Sequence, residues 1–104
     1  MPEKRSKPES ELHFHARARK DILQAVTWYA SRRSGLGDQF LLEVQRCLGG
    51  LVQNPERYPK IHRSFRQAPL RRFPYVVIYR PLDPGILVMR VFHTKQDPTK
   101  KFGS

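Results

Sequence analysis

Four scarcities in the chain each remove a class of protein. Its single cysteine, Cys47, has no partner for an internal disulfide, so the fold does not depend on an oxidising compartment. No apolar run approaches the roughly 18 residues of a membrane span, and residues 1–11 mix Lys, Arg, Glu, Ser and Pro without the apolar stretch of a secretory signal. Secreted and membrane-spanning readings are therefore disfavoured, and a cytoplasmic setting is expected. Metal-ligand spacing is missing too: His13 and His15 alternate on a short extended segment, but no Cys/His cluster completes a site, so no metal or cofactor is expected. Acidic residues are the fourth scarcity, nine against twenty Lys and Arg, for a net charge of +11 and a sequence pI of about 10.6. A chain so charged favours polyanions or acidic proteins as partners.

What remains is enough for one small domain. A chain of 104 residues, 38% of them hydrophobic, hides roughly two-thirds of its surface on folding and has no room for a second core. Residues 1–11 have the composition of a solvated tail. Leu12-His13-Phe14-His15 alternates with a period of two, which predicts a short strand with Leu12 and Phe14 inward. From Ala16 the period changes: Ala18, Ile22, Ala25, Val26 and Tyr29 fall on one helical stripe, with Trp28 at its edge and read as packing. Arg32 and Arg33 suit the last turn, and Gly35 is expected as the C-cap. A second stripe, Leu36, Phe40, Val44, Cys47, Leu48 and Leu51, follows so closely that the two helices should form an antiparallel hairpin ending at Asn54-Pro55. Gly49 and Gly50 cost about 1 kcal/mol each relative to alanine inside a helix, so they are expected either to permit close packing or to mark fraying. Residues 65–70, 75–80 and 86–93 are rich in Val, Ile, Tyr and Phe and are separated by short Pro- and Gly-containing loops, which predicts three antiparallel strands. The expected class is α+β: a short N-terminal strand, a helical hairpin, then three antiparallel strands in one twisted sheet. The domain should span residues 12–98, with a flexible tail at 99–104.

The positive charge is concentrated in mid-chain, where Arg57, Lys60, Arg63, Arg66, Arg71, Arg72 and Arg80 occur without an acidic residue between Glu56 and Asp83. Arginine forks suit phosphate and carboxylate recognition. Two chemistries fit this run. One is a docking surface for an acidic partner. The other is RNA cleavage, in which arginines stabilise the phosphorane-like transition state and His93, projecting from a central strand, moves a proton; Tyr79 or Glu56 would have to supply the second proton transfer. Cys47 lies on the apolar stripe and reads as core.

Five segments in order carry a resemblance: Ala18-Arg19-Lys20-Asp21-Ile22; Gly35-Leu36-Gly37-Asp38-Gln39-Phe40; Asn54-Pro55 with Tyr58-Pro59; Arg71-Arg72-Phe73-Pro74-Tyr75-Val76-Val77-Ile78-Tyr79-Arg80; and Val91-Phe92-His93 with Asp97-Pro98. Together they resemble the RelE/ParE superfamily of toxins from bacterial type II toxin-antitoxin modules, and the Arg-Arg-Phe-Pro-Tyr form is closer to the ParE-like branch. The tail departs from the ParE-like pattern at Thr94, Lys95 and Gln96, and Lys101 stands where that branch often has tryptophan, one position before Phe102.

The resemblance implies a toxin that inhibits growth through DNA gyrase. Its partner would be a cognate antitoxin whose acidic segment folds on binding, in a toxin-antitoxin hetero-oligomer. Arg63, Arg66, Arg71, Arg72, Tyr75, Arg80, His93 and Lys95 are the residues expected to bind antitoxin or target. The alternatives are a RelE-like, ribosome-dependent mRNA endonuclease using His93, Arg66, Arg72 and Arg80, or a non-toxic remnant that only binds its partner. A nuclease requires those four side chains to converge on one concave site.

Overall fold

The alternation at residues 12–14 forms strand β1 (Leu12–Phe14), in a computed structural model that describes residues 11–95. The tails expected at either end lie outside the described residues, apart from Glu11, whose carbonyl lies against Gly85. Gly85 has φ +92°, and a side chain there would collide with that carbonyl.

Helix α1 (Ala16–Arg32) starts where His15 leaves the strand: its Nδ1 accepts the Arg17 N–H at 3.0 Å and so caps the helix. The N–H of Arg33, not of Gly35, closes the last turn by donating to the Tyr29 carbonyl. Gly35 instead begins α2 (Leu36–Gln53) from the left-handed conformation at φ +84°. The chain must reverse between Arg33 and Leu36, and glycine meets that demand on the far side of the turn from the expected C-cap. The hairpin closes tightly at one point. A Cβ on Gly37 would stand 2.7 Å from the Val26 carbonyl oxygen and 3.1 Å from the Ala30 Cβ. Gly49 and Gly50 meet neither expectation: both face open space, and the helix continues past them to Gln53.

Among the described residues the sheet has five strands, one more than expected. Strand β2 (Lys60–His62) precedes β3 (Phe65–Pro69), β4 (Tyr75–Pro81) and β5 (Ile86–His93), in the order β1-β5-β4-β3-β2. All three residues of β2 are exposed, so it carries no apolar alternation by which a sequence could announce it. The last four strands are antiparallel neighbours, whereas β1 joins β5 in parallel, Leu12 opposite Ile86 and Phe14 opposite Val88. A parallel neighbour needs a crossover connection, and the helical hairpin is part of it.

Both helices cover one face of the sheet. Ala18, Ala25, Phe40, Val44, Leu48 and Leu51 meet Val77, Tyr79, Ile86, Val88 and Val91 there. An aromatic group closes this core near the β3–β4 loop: Tyr29 stacks on Phe40 at 5.4 Å and meets Phe73 edge-on at 5.0 Å, and Tyr75 lies 5.0 Å from Phe40. Such pairs add about 0.5–1.5 kcal/mol each beyond area burial. The opposite, outer face carries a smaller cluster in which Phe65 and Met89 pack on Val76, Ile78 and Phe92.

Candidate functional site

Strand β1 is too short to cover β5. It ends opposite Val88, whose carbonyl takes the His15 N–H at 2.9 Å, and from Met89 onward β5 has no strand on that side among the described residues. Asp21 of α1 manages the open edge. Its Oδ2 accepts the Val91 N–H at 3.0 Å, and its two oxygens hold Arg90 side-on, Nε to Oδ2 at 2.7 Å and Nη2 to Oδ1 at 3.1 Å. Beyond it runs a groove of about 550 Å³ between α1 and the β5 edge, lined by Gln24, Trp28, Tyr29, Pro74, Tyr75, Val91 and His93. Trp28 corrects the sequence reading: it is 51% exposed, with its ring edge-on to Tyr29 and the Arg32 guanidinium 4.3 Å above it.

Tyr75 and His93 sit directly opposite one another in the sheet and their rings meet edge-on at 4.9 Å. Burial pushes the Tyr75 and Tyr29 phenols up from their ordinary pKa, so both are neutral hydroxyls at physiological pH. His93 Nδ1 accepts the Lys95 N–H at 3.0 Å. A neutral imidazole accepting at Nδ1 carries its proton on Nε2, which makes that nitrogen a donor.

The arginines are dispersed. Arg66 pairs across the sheet with Tyr79 and donates to the Tyr58 carbonyl at 2.5 Å, bracing the segment between α2 and β2; its buried Nε has no hydrogen-bond partner among the described residues. Arg71 and Arg72 lie in the β3–β4 loop: the Arg71 N–H donates to Glu43 Oε2, and Arg72, at φ +69°, reaches Gln39 Oε1 at 3.2 Å. Arg80 follows Tyr79 on β4 and by strand alternation points to the other face from Arg66. Arg63 sits in the β2–β3 turn. Tyr79, nominated as a proton donor, is fully buried and donates its hydroxyl to the Pro55 carbonyl at 2.8 Å.

Set against known proteins, residues 12–98 match a family model described as the ParE toxin of the type II toxin-antitoxin system parDE. The chain belongs to the ParE toxin family. Toxin ParE2 of Mycobacterium tuberculosis (strain CDC 1551 / Oshkosh) is 27% identical over 88 residues, 84% of each chain. Among solved structures, the chain resembles one from the chromosomal ParDE system of P. aeruginosa, with TM-score 0.66 and 16% identity over 82% of this chain and 96% of that one. It also resembles the isolated E. coli RelE toxin, with TM-score 0.58 and 17% identity over 86% and 88% of the two chains. These two likenesses establish a shared fold.

On this ParE-family scaffold the four residues named for nuclease chemistry do not meet. His93 is opposite Tyr75 at one end of β4, and Arg80 lies five residues further along, about 16 Å at the usual strand rise. Arg66 and Arg80 are on opposite faces, and Arg72 belongs to the loop beside α2. Tyr75 and His93 do converge, and they do so with Trp28 and Gln24, which the sequence reading left out. The available signal was Trp28's place at the edge of the helical stripe, where a side chain covers the core only in part.

Proposed function

We propose that this chain is the toxin subunit of a plasmid-stabilising type II module, arresting growth by ParE-like binding to DNA gyrase and neutralised by a cognate antitoxin in a hetero-oligomer. The observation that carries the reading is the dispersal of the arginines, with Arg66 and Arg80 on opposite faces of the sheet and Arg63 and Arg72 in two different connections. Acid–base cleavage of RNA needs a base, an acid and a cation around one phosphate, whereas a protein-binding poison needs a wide surface with anchors. The α1–β5 groove supplies such an anchor site: Trp28, Tyr75 and His93 line it, and the open β5 edge beside it offers backbone to an extended segment. An acidic antitoxin segment suits the net charge of +11.

Pulse-labelling of DNA and protein synthesis in bacterial cells, minutes after inducing the chain without an antitoxin, tests the reading. DNA synthesis should fall first, and purified protein should then impair gyrase supercoiling. An early fall in protein synthesis would instead mark a ribosomal target and overturn the gyrase assignment. No change in either, with folded protein present, would leave partner binding as the whole activity.

A further inference from the structure

A second cleft, on the outer side of the sheet and apart from the α1–β5 groove, has a chemistry of its own. It measures about 270 Å³ and is lined by His15 and Arg17 at the start of α1, His62, Arg63 and Phe65 around the β2–β3 turn, and Met89 and Arg90 of β5. Three of these seven are arginines and two are histidines, and the carboxylate next to them, Asp21, holds Arg90 from outside the lining. The two apolar members, Phe65 and Met89, belong to the outer-face cluster with Phe92, Val76 and Ile78, which gives the cleft an aromatic and thioether floor.

Two features of this cleft run against the fold's own preferences, and a third fixes its geometry. The first turn of α1 contains no acidic residue, although the positive end of a helix dipole is where acids are favourable; Arg17 occupies it instead. Arg63 takes φ +54°, a left-handed conformation that suits glycine and is costly for a side chain bearing Cβ. Arg90 is fixed in place by its bidentate pair with Asp21, its guanidinium 5.2 Å from the centre of the Phe92 ring. Arg17 and Arg63, from segments distant in sequence, thus bring positive charge to one concavity against local electrostatic or conformational preference, beside an Arg90 whose charge Asp21 balances. A strained Arg63 and a cation at the positive end of a helix dipole are both offset when an anion binds.

We propose that this cleft binds single-stranded nucleic acid, with a backbone phosphate between Arg17, Arg63 and Arg90 and a base against Phe65. The apolar floor decides the class. A nucleotide brings a flat π-face along with its phosphate, and base–aromatic stacking tolerates any sequence; an acidic peptide would satisfy the arginines and leave Phe65 and Met89 unused. The bases of an intact duplex are stacked on one another, so they do not present a face to Phe65. The inference does not rest on the gyrase reading, because it concerns a different surface and an equilibrium binding event.

Fluorescence anisotropy with a labelled ten-nucleotide single strand, as DNA and as RNA, tests it on the full chain. Because a net charge of +11 attracts any polyanion, matched variants must separate the cleft from the general field. Arg63→Gly should weaken binding about five-fold or more and lower the salt-dependence slope by about one. The same variant should keep or raise the thermal midpoint, since it relieves the left-handed strain. Arg33→Ala removes the same charge at the far end of α1 and should change affinity less than about two-fold. Phe65→Leu keeps the apolar volume without the ring and should cost roughly five-fold or more. Equal losses in Arg63→Gly and Arg33→Ala, or no measurable binding, would overturn the proposal. So would displacement of the oligonucleotide by polyglutamate as readily as by unlabelled strand, which would identify a site for acidic chains. A preference between the DNA and RNA arms assigns the sugar, and equal binding places recognition on phosphate and base alone.

Discussion

Asp21 shows how much one side chain can hold together in a small sheet. Its carboxylate ties α1 to the edge of β5 and neutralises Arg90, with both side chains only 12–13% exposed. Asp21→Ala removes the acceptor for the Val91 N–H and leaves Arg90 without its counter-charge, so it should cost about 2–4 kcal/mol, read as a lowered urea midpoint. Asp21→Asn keeps an acceptor and should cost less. Glu43 does related work at the β3–β4 loop. The side-chain hydrogen bonds from Arg46 and the Arg71 N–H hold its carboxyl below the usual range. A lowered folded pKa means that its contribution is complete above the ordinary carboxylate pKa and is lost as pH falls through the folded value. Glu43→Gln should therefore lower stability at pH 7, and the gap to the unsubstituted chain should close on acidification. Cys47 is the contrasting case: burial pushes its thiol up to about 11, so it is protonated and shielded at neutral pH. A thiol-reactive disulfide reagent should label it slowly in the native protein and fully once denaturant is added.

The elements differ in how plainly their residues announced them. Both helices were legible because each has a continuous apolar stripe; β4 and β5 were legible because their buried residues are β-branched or aromatic, and β3, whose one buried residue is Ala68, through Phe65 and the turn signals around it. Strand β2 was not, since Lys60, Ile61 and His62 are all exposed and are held by pairing with β3 alone. Glycine roles were misread for a related reason: sequence gives a glycine's cost but not what stands opposite its missing Cβ. The structure separates them. Gly37→Ala pushes a methyl into the Val26 carbonyl and should cost about 1–3 kcal/mol by forcing the hairpin apart. Gly49→Ala and Gly50→Ala add a methyl to open space within a regular helix and should each stabilise by about 0.5–1 kcal/mol. Thermal melts of the three single variants check both signs at once, and a stabilised Gly37→Ala would mean that the helices are free to separate there.

At the scale of the whole molecule, the class and most of the topology followed from periodicity, but the surface did not. A run of arginines reads as one patch in sequence; strand alternation, a loop and a turn then send Arg66, Arg80, Arg72 and Arg63 in different directions. Tyr75 and His93 stayed together because cross-strand register joins them. An excess of twenty cations over nine carboxylates has a cost of its own. With a net charge of +11, the folded state confines like charges that the unfolded chain lets apart. Ion pairs such as Arg46–Glu43, whose arginine is 43% exposed, and the largely buried Arg90–Asp21 oppose this. An exposed pair contributes little, and a buried one is weakly screened. Added salt therefore removes more repulsion than attraction. Raising sodium chloride from about 20 to 300 mM, which shortens the screening length to well under 10 Å, should lift the thermal midpoint by several degrees, since about 1 kcal/mol moves a domain of this size by roughly 4–8 °C. A midpoint that falls with salt would show that attractive pairs outweigh the repulsion and that the basic surfaces are already neutralised within the fold.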